Sequence, residues 1–326
     1  LSNLKTIFNQ WNSTTALIVG DSMIDAYFYG SSTRNSPEAP VPIINLEKKE
    51  QRLGGAANVA LNIKALGATP ILFSIVGPDN NGAQLQSLLE KESLSTEGIV
   101  VDESRCTTVK TRVIGNNQHY LRIDEEETGL INQNVENQLF TTISSLIQKA
   151  DVLIFQDYNK GVLSPNLIKT VTQLCSNSDV PIVVDPKHDQ FFDYQNCTLF
   201  KPNRKEIAEA YQMQEDEISD IETWAKRLRL DLNAKNVMTT LSEDGVLIVN
   251  KQEYHHLPAH PRNILDVSGA GDSVLSVAAL CVALDLPNPT IAGLANLAGG
   301  LVCEKIGVVP IDKAQLFDEA AKLEKV

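Results

Sequence analysis

The chain has 326 residues, 43% of them hydrophobic and 21% charged, a balance that excludes disorder and predicts one large α/β domain with an appendage. Its formal net charge of -13 excludes a basic nucleic-acid-binding face, so any anionic substrate must be held by individually placed Lys, Arg and backbone N–H groups. Five cysteines without Cys-x-x-Cys spacing, and five histidines without a helical zinc pair, argue against a metal cage and fit reduced thiols in a cytoplasm.

Residues 1–11 lack the basic start and apolar run of a signal peptide. The apolar run 15–20 reads as a buried strand ending at Asp21. Segment 27–47 then breaks the pattern, with short strands joined by a turn-rich stretch. A helical pattern follows over 56–66, a strand over 70–76 and a helix over 82–92. Segment 106–124 is a second interruption, hairpin-like around Gly115-Asn116-Asn117. Beyond it, helices are predicted over 133–149, 165–175 and 222–230, and strands over 152–156, 181–184 and 237–239. The longest apolar run, 274–284, is bracketed by Asp272 and Asp285 and is far too short for a membrane span. No membrane partner is expected.

Strand and helix in alternation predict a mainly parallel sheet sandwiched by helices, with ligands at the carboxyl ends of its strands. Asp21, Asp157 and Asp185 stand at such ends. Segments 27–47 and 106–124 are expected to meet as a small β lid that excludes water from the crevice; a decorative hairpin or a dimer contact is the plainer alternative.

Three clusters carry chemistry. In Asp266-Val267-Ser268-Gly269-Ala270-Gly271-Asp272, small residues open a helix and aim its unpaired N–H groups and dipole at one spot. An acid there suits a base for an attacking hydroxyl beside donors for a moving phosphoryl group. Gly20-Asp21-Ser22-Met23-Ile24-Asp25 sets two carboxylates four apart, where they can accept from vicinal hydroxyls. Gly54-Gly55-Ala56-Ala57-Asn58 lets a sugar lie against the backbone beside an amide. Solvated loop acids and a plain helix start are the plainer readings of the last two.

The glycines from Gly54 to Gly77, paired with Asp266–Asp272 much later, resemble the two signatures of the ribokinase-like (PfkB) sugar kinases, over about residues 15–309. Within that family, residues 34–42, Asp157-Tyr158-Asn159-Lys160-Gly161 and Asp185-Pro186-Lys187 are most similar to kinases of D-glycero-D-manno-heptose 7-phosphate, which serve ADP-heptose and lipopolysaccharide synthesis. The resemblance implies an ATP- and Mg2+-dependent kinase in a single domain spanning 1–326, with a homodimer formed through the lid. It implies Asp272 as catalytic base, with Gly269, Ala270 and Gly271 as its anion hole. Asp21, Asp25, Gly54, Gly55 and Asn58 match sugar-contacting positions. Asn203-Arg204-Lys205-Glu206 matches a motif tied to magnesium and the ATP phosphates, with Glu206 holding metal-bound water rather than the ion. Thr240, Ser242 and Gly245 match the nucleotide-side loop, where relatives often carry Gly in place of Ser242, and Asn296 resembles a residue near the adenine.

For the phosphate already on the sugar, Lys187 is the first candidate, then Arg112 and Arg122 on the second insertion, with Lys110 and Lys160 behind them. His255, His256 and His260 read as structural or exposed residues. The alternatives are a PfkB-type kinase of another sugar, sugar phosphate or nucleoside, and a non-catalytic sugar-phosphate or nucleotide sensor. A dinucleotide-dependent oxidoreductase is disfavoured, since no Gly-x-Gly-x-x-Gly follows the first strand. Some relatives fuse a nucleotidyltransferase carrying His-x-Gly-His, a motif missing from these 326 residues. Adenylyl transfer then belongs either to another protein or to a further part of a longer one.

Overall fold

The computed structural model describes residues 2–116, 118–215 and 220–323. Asn117, at the expected turn of the second insertion, lies outside them. The strands in chain order are β1 (Thr15–Gly20), β2 (Ser22–Asn35), β3 (Pro42–Gly55), β4 (Thr69–Val76), β5 (Ile99–Val101), β6 (Val109–Gly115), β7 (Gln118–Glu125), β8 (Val152–Gln156), β9 (Ile182–Asp185), β10 (Leu199–Phe200), β11 (Asn236–Thr240), β12 (Val246–Val249) and β13 (Tyr254–Leu257). The helices are α1 (Ser2–Gln10), α2 (Ala56–Ala65), α3 (Asn80–Lys91), α4 (Gln133–Leu146), α5 (Pro165–Asn177), α6 (Arg204–Ala210), α7 (Ile221–Asp231), α8 (Ala270–Ala283), α9 (Asn288–Val302) and α10 (Lys313–Leu323).

The main sheet runs β13-β12-β11-β10-β9-β8-β1-β4-β5. It is parallel from β5 to β11 and ends in two antiparallel strands, β12 and β13. Alternation along each central strand builds two cores. Ala16 and Ile18 of β1 face α2, α8 and α9, while Leu17 and Val19 face α4, α5 and α7. Both faces are therefore apolar, which is why β1 and β8 read as continuous hydrophobic runs.

Helix starts follow local chemistry. Asp79 accepts from Gly82 N–H, Asn132 from Asn134 and Val135, and Ser164 from Leu167, with Pro165 at the first turn of α5.

The chain leaves β1 for β4 on one side and returns to β8 on the other, so the strand order reverses between β1 and β8. Crevices open at such a reversal. Asp21 follows β1 and Asp157 follows β8. A second sheet, β3-β2-β6-β7, rises from this point. Its central pair, β2 and β6, is parallel, and both outer pairs are antiparallel. No helix among the described residues is long and apolar enough to cross a membrane.

Candidate active site

Asp272 sits in the first turn of α8, which Gly269 caps in a left-handed conformation at φ 78°. The preceding loop is fixed by Asp266, whose two oxygens accept from Ser268 N–H at 2.9 Å and Gly307 N–H at 2.8 Å. Of the expected anion-hole glycine loop, Ala270 spends its N–H on Val267 O. Among the described residues, the N–H groups of Gly269, Gly271 and Asp272 meet no backbone acceptor, so two of the three expected donors stay open and Asp272 N–H adds another.

The Asp272 carboxyl is buried and held at both oxygens. Asn58, on α2, donates to Oδ2 at 2.6 Å, and the Tyr158 hydroxyl donates to Oδ1 at 2.9 Å. Burial pushes its pKa up to about 6, with the Asp185 charge adding to the rise and the Asn58 amide and Tyr158 hydroxyl opposing it. The group is thus mostly ionised at neutral pH yet basic enough to take a proton.

Tyr158 was not singled out from the sequence. It reaches Asp272 because a pair of carboxylates shapes the loop after β8. Asp21 accepts from the N–H groups of Tyr158, Lys160 and Val162, at 2.8, 3.1 and 3.1 Å. Asp157 accepts from Asn159 N–H at 2.8 Å and from Tyr194 Oη at 2.6 Å. Burial, with the neighbouring Asp21 charge, raises Asp157 to about 6. Both acids at the strand reversal are therefore occupied with loop geometry.

On the next two strands each lysine comes with a carboxylate. Lys201, just past β10, is buried and pairs with Asp185 Oδ1 at 2.9 Å. A Cβ built on Gly271 would stand 3.9 Å from its Nζ, so this ammonium faces the helix N-terminus. Lys201 was also not anticipated; its place at the end of a strand two residues before Asn203 was the available signal.

Asn203 and Glu206 form a capping box on α6. Asn203 Oδ1 accepts from Glu206 N–H, and Glu206 Oε2 accepts from Asn203 N–H, both at 2.8 Å. Glu206 Oε1 takes the ammonium of Lys187, which also lies 5.8 Å from the Tyr158 ring centroid. No group of three or more His, Cys, Asp or Glu side chains assembles a metal cage among the described residues. With its oxygens so engaged, Glu206 fits a metal only through water.

The second sheet presents a charged face to this crevice. Directly paired residues share a face, which gives the rows Arg122, Arg112, Tyr27, Glu50 and Asp124, Lys110, Asp25, Arg52. Arg112 pairs with Asp25, and the two guanidiniums of Arg52 and Arg112 lie over Tyr27 at 5.1 and 5.2 Å. Arg52 Nη1 donates to Val308 O at 3.1 Å and so ties the sheet to the loop beside α8. Lys110 pairs with Asp124 and Glu126, and Lys160 with Glu126. Arg122 is mostly exposed and pairs with Asp124 on the edge strand. Every cation nominated from the sequence thus has an acidic partner. Gly54 lies against Asp25, and Gly55, at φ 59°, against Asp21 O.

The positions nominated for a nucleotide, Thr240, Ser242, Gly245 and Asn296, lie around the turn between β11 and β12 and the segment after β13. Thr240 bridges Asn203, and Ser242 adopts φ 52°, in the left-handed region that favours glycine. Gly245 abuts the backbone of 257–259, and Asn296 Nδ2 donates to Pro258 O in the same segment, at 2.9 Å.

The sequence profile described as "pfkB family carbohydrate kinase" matches residues 13–314. A curated relative from Caulobacter vibrioides, "Bifunctional protein HldE", is 39% identical over 304 residues, covering 93% of this chain and 62% of that protein. The protein of the same name from Desulfatibacillum aliphaticivorans is 37% identical over 307 residues, covering 94% and 63%. The chain therefore spans less than two thirds of the length of these relatives. Among solved structures, phosphofructokinase-2 from Escherichia coli in complex with potassium matches with a TM-score of 0.78 at 18% identity, over 95% of this chain and 99% of that one.

Proposed function

Because this chain belongs to the pfkB family of carbohydrate kinases, we propose that it transfers the γ-phosphoryl group of ATP to the anomeric hydroxyl of D-glycero-D-manno-heptose 7-phosphate, giving the 1,7-bisphosphate. The observation that carries the reaction class is the buried Asp272 carboxylate at the N-terminus of α8, with open N–H groups and Lys201 beside it. The choice of heptose rests on residues 34–42, 157–161 and 185–187, and on relatives named HldE.

In this reading Asp272 accepts the proton of the attacking hydroxyl as the phosphoryl group moves in line. The N–H groups of Gly271 and Asp272, with Lys201, stabilise charge on the phosphoryl oxygens. Asn58, Asp25 and the glycine pair Gly54-Gly55 orient the sugar. Asp21 contributes by fixing the loop that carries Tyr158. Lys187, Arg112 and Arg122 are the cations offered to the sugar's own phosphate, each exchanging an acidic partner for it. Thr240, Ser242, Gly245 and Asn296 line the nucleotide side. Magnesium supplies neutralisation of the polyphosphate when bound, and Glu206 would hold it through water. The reaction belongs to the cytoplasm, where ATP is available and the five cysteines, all unpaired, stay reduced.

The lid rows Leu121, Val113, Phe28 and Ile123, Thr111, Ala26 face away from the charged side, and Leu121 and Ile123 are exposed at 57% and 46%. A second copy of the chain covers this surface in the proposed homodimer.

A panel of sugars and sugar phosphates, scored by ATP consumption, tests the substrate. The highest kcat/KM is expected for the heptose 7-phosphate. A hundredfold preference for fructose phosphate, ribose or a nucleoside overturns the substrate and keeps the class; binding without turnover across the panel overturns the class.

A further inference from the structure

We propose that Tyr158 is the positioning residue of the base: its hydroxyl clamps Asp272 Oδ1, and the loop that delivers it is locked by Asp21 and Asp157. The inference rests on the reading of Asp272 as base. Nothing in the strand–helix pattern marks Tyr158, and its bond to Asp272 spans 114 residues of sequence.

Three observations converge on this role. Two donors hold Asp272, one at each oxygen, and Asn58 on α2 is fixed independently of Tyr158 on the loop after β8. A carboxylate gripped at both ends keeps one free lone-pair direction on each oxygen, so its plane is set before a hydroxyl meets it. Next, the loop is anchored through main-chain groups rather than through the phenol. Asp21 takes three of its N–H groups and Asp157 a fourth. Asn159 at φ 54° and Gly161 at φ 88° complete the turn, and a Cβ on Gly161 would stand 1.9 Å from Gly129 O. Lastly, the phenol is a donor that stays protonated. Burial raises its pKa well above the ordinary tyrosine value, and the charges of Asp272 and Asp185 add to that rise.

The charges facing this pair come from several elements. Asp185 ends β9, Lys201 follows β10, Asp25 lies on β2, and Lys187 lies over the Tyr158 ring. None of them donates to Asp272. The uncharged donors Asn58 and Tyr158 hold the ionised form directly, so removing one shifts the base upward while those charges stay in place.

The test is Tyr158→Phe, assayed against pH beside Asp272→Asn and the double variant. Because the loop is anchored by backbone groups, Tyr158→Phe is expected to unfold at the wild-type temperature within about two degrees. Its kcat should fall about tenfold with KM for ATP unchanged. The acidic limb of kcat/KM should move up by about one unit, the loss expected for one hydrogen bond to a charged group. In the double variant, Tyr158→Phe should add no further loss to Asp272→Asn, since it acts through the group already removed. An unmoved acidic limb with kcat within about twofold of wild type overturns the proposal while leaving the base in place, and so does a further tenfold loss in the double variant. A fully active Asp272→Asn overturns the base assignment, and the positioning role falls with it.

Discussion

A carboxyl whose folded pKa is about 6, against 3.8 for the free side chain, makes Asp272 a group that the fold bears at a cost. Its proton is held more tightly in the folded state, so its contribution to stability is complete below about pH 4 and is lost as pH rises through about 6. Asp272→Asn should therefore stabilise the protein at pH 8 by up to about 3 kcal/mol, the gain vanishing below about pH 4. The same variant should lose about 10²–10⁴-fold in kcat, with ATP binding retained. Urea unfolding at the two pH values and steady-state kinetics check both halves; a variant destabilised at pH 8 contradicts the first. Lys187→Ala is expected to raise KM for the phosphorylated sugar far more than KM for ATP. Its contact with Glu206 sharpens the comparison, because a rise confined to ATP assigns the ammonium to the polyphosphate end. Asp272 and Asn58 stood out in the sequence because glycines and small residues flank them. Tyr158, though inside the Asp157–Gly161 stretch, gave no sign of its role, since its bond to Asp272 spans 114 residues, and Lys201 had only its place at a strand end to mark it.

At the level of single elements, the Asn-x-x-Glu motif has two uses at once. Glu206 closes a capping box with one oxygen and meets Lys187 with the other. Glutamine also serves at this position of the box. Glu206→Gln should therefore leave stability within about 0.5 kcal/mol of wild type while KM for MgATP rises. Glu206→Ala should raise KM for MgATP as well and also lower stability, by about 1 kcal/mol. Equal stability losses in the two variants would show that charge, not capping, holds α6. The turn between β3 and α2 is stricter. Gly55 adopts φ 59°, and a Cβ there would stand 2.3 Å from Asp21 O, a backbone atom that cannot swing aside. Gly55→Ala is expected to cost at least about 2 kcal/mol and to displace Asp21 with its loop, lowering kcat as well as the unfolding midpoint. Element legibility followed burial. The runs at 15–20 and 152–156 became β1 and β8 with those bounds, because both faces of each are apolar. Strand β3 continues through Lys48-Lys49-Glu50-Gln51-Arg52 to Gly55, a stretch whose charge reads as loop, because one face meets the polar crevice and the other meets solvent.

For the molecule as a whole, βα alternation made the parallel sheet and its helical layers legible, while the antiparallel edge formed by β12 and β13 was not. Those strands are four residues each, and β13 carries Tyr254, His255 and His256, too short and polar a run to mark a strand. The proposed pairing of lids predicts a dimer by light scattering, with Leu121→Glu combined with Ile123→Glu giving a folded monomer; a dimer surviving both changes rules this face out. Strand β2 starts beside the carboxyl end of β1 and ends in the lid, and its pairing with β3 keeps one register from Ser22 to Tyr29 before shifting at Gly30. Treated as a stiff lever, that inner stretch has its near end beside Asp21. At about 3.3 Å per residue its arm is about 26 Å long, and Asp25 rides about 13 Å out. A tilt of about ten degrees carries the far end of the arm by about 5 Å and Asp25 by about half as much. A tilt of the outer strands would thereby be geared down into a smaller shift of Asp25, so whatever grips those strands also bears on the charged face of the crevice.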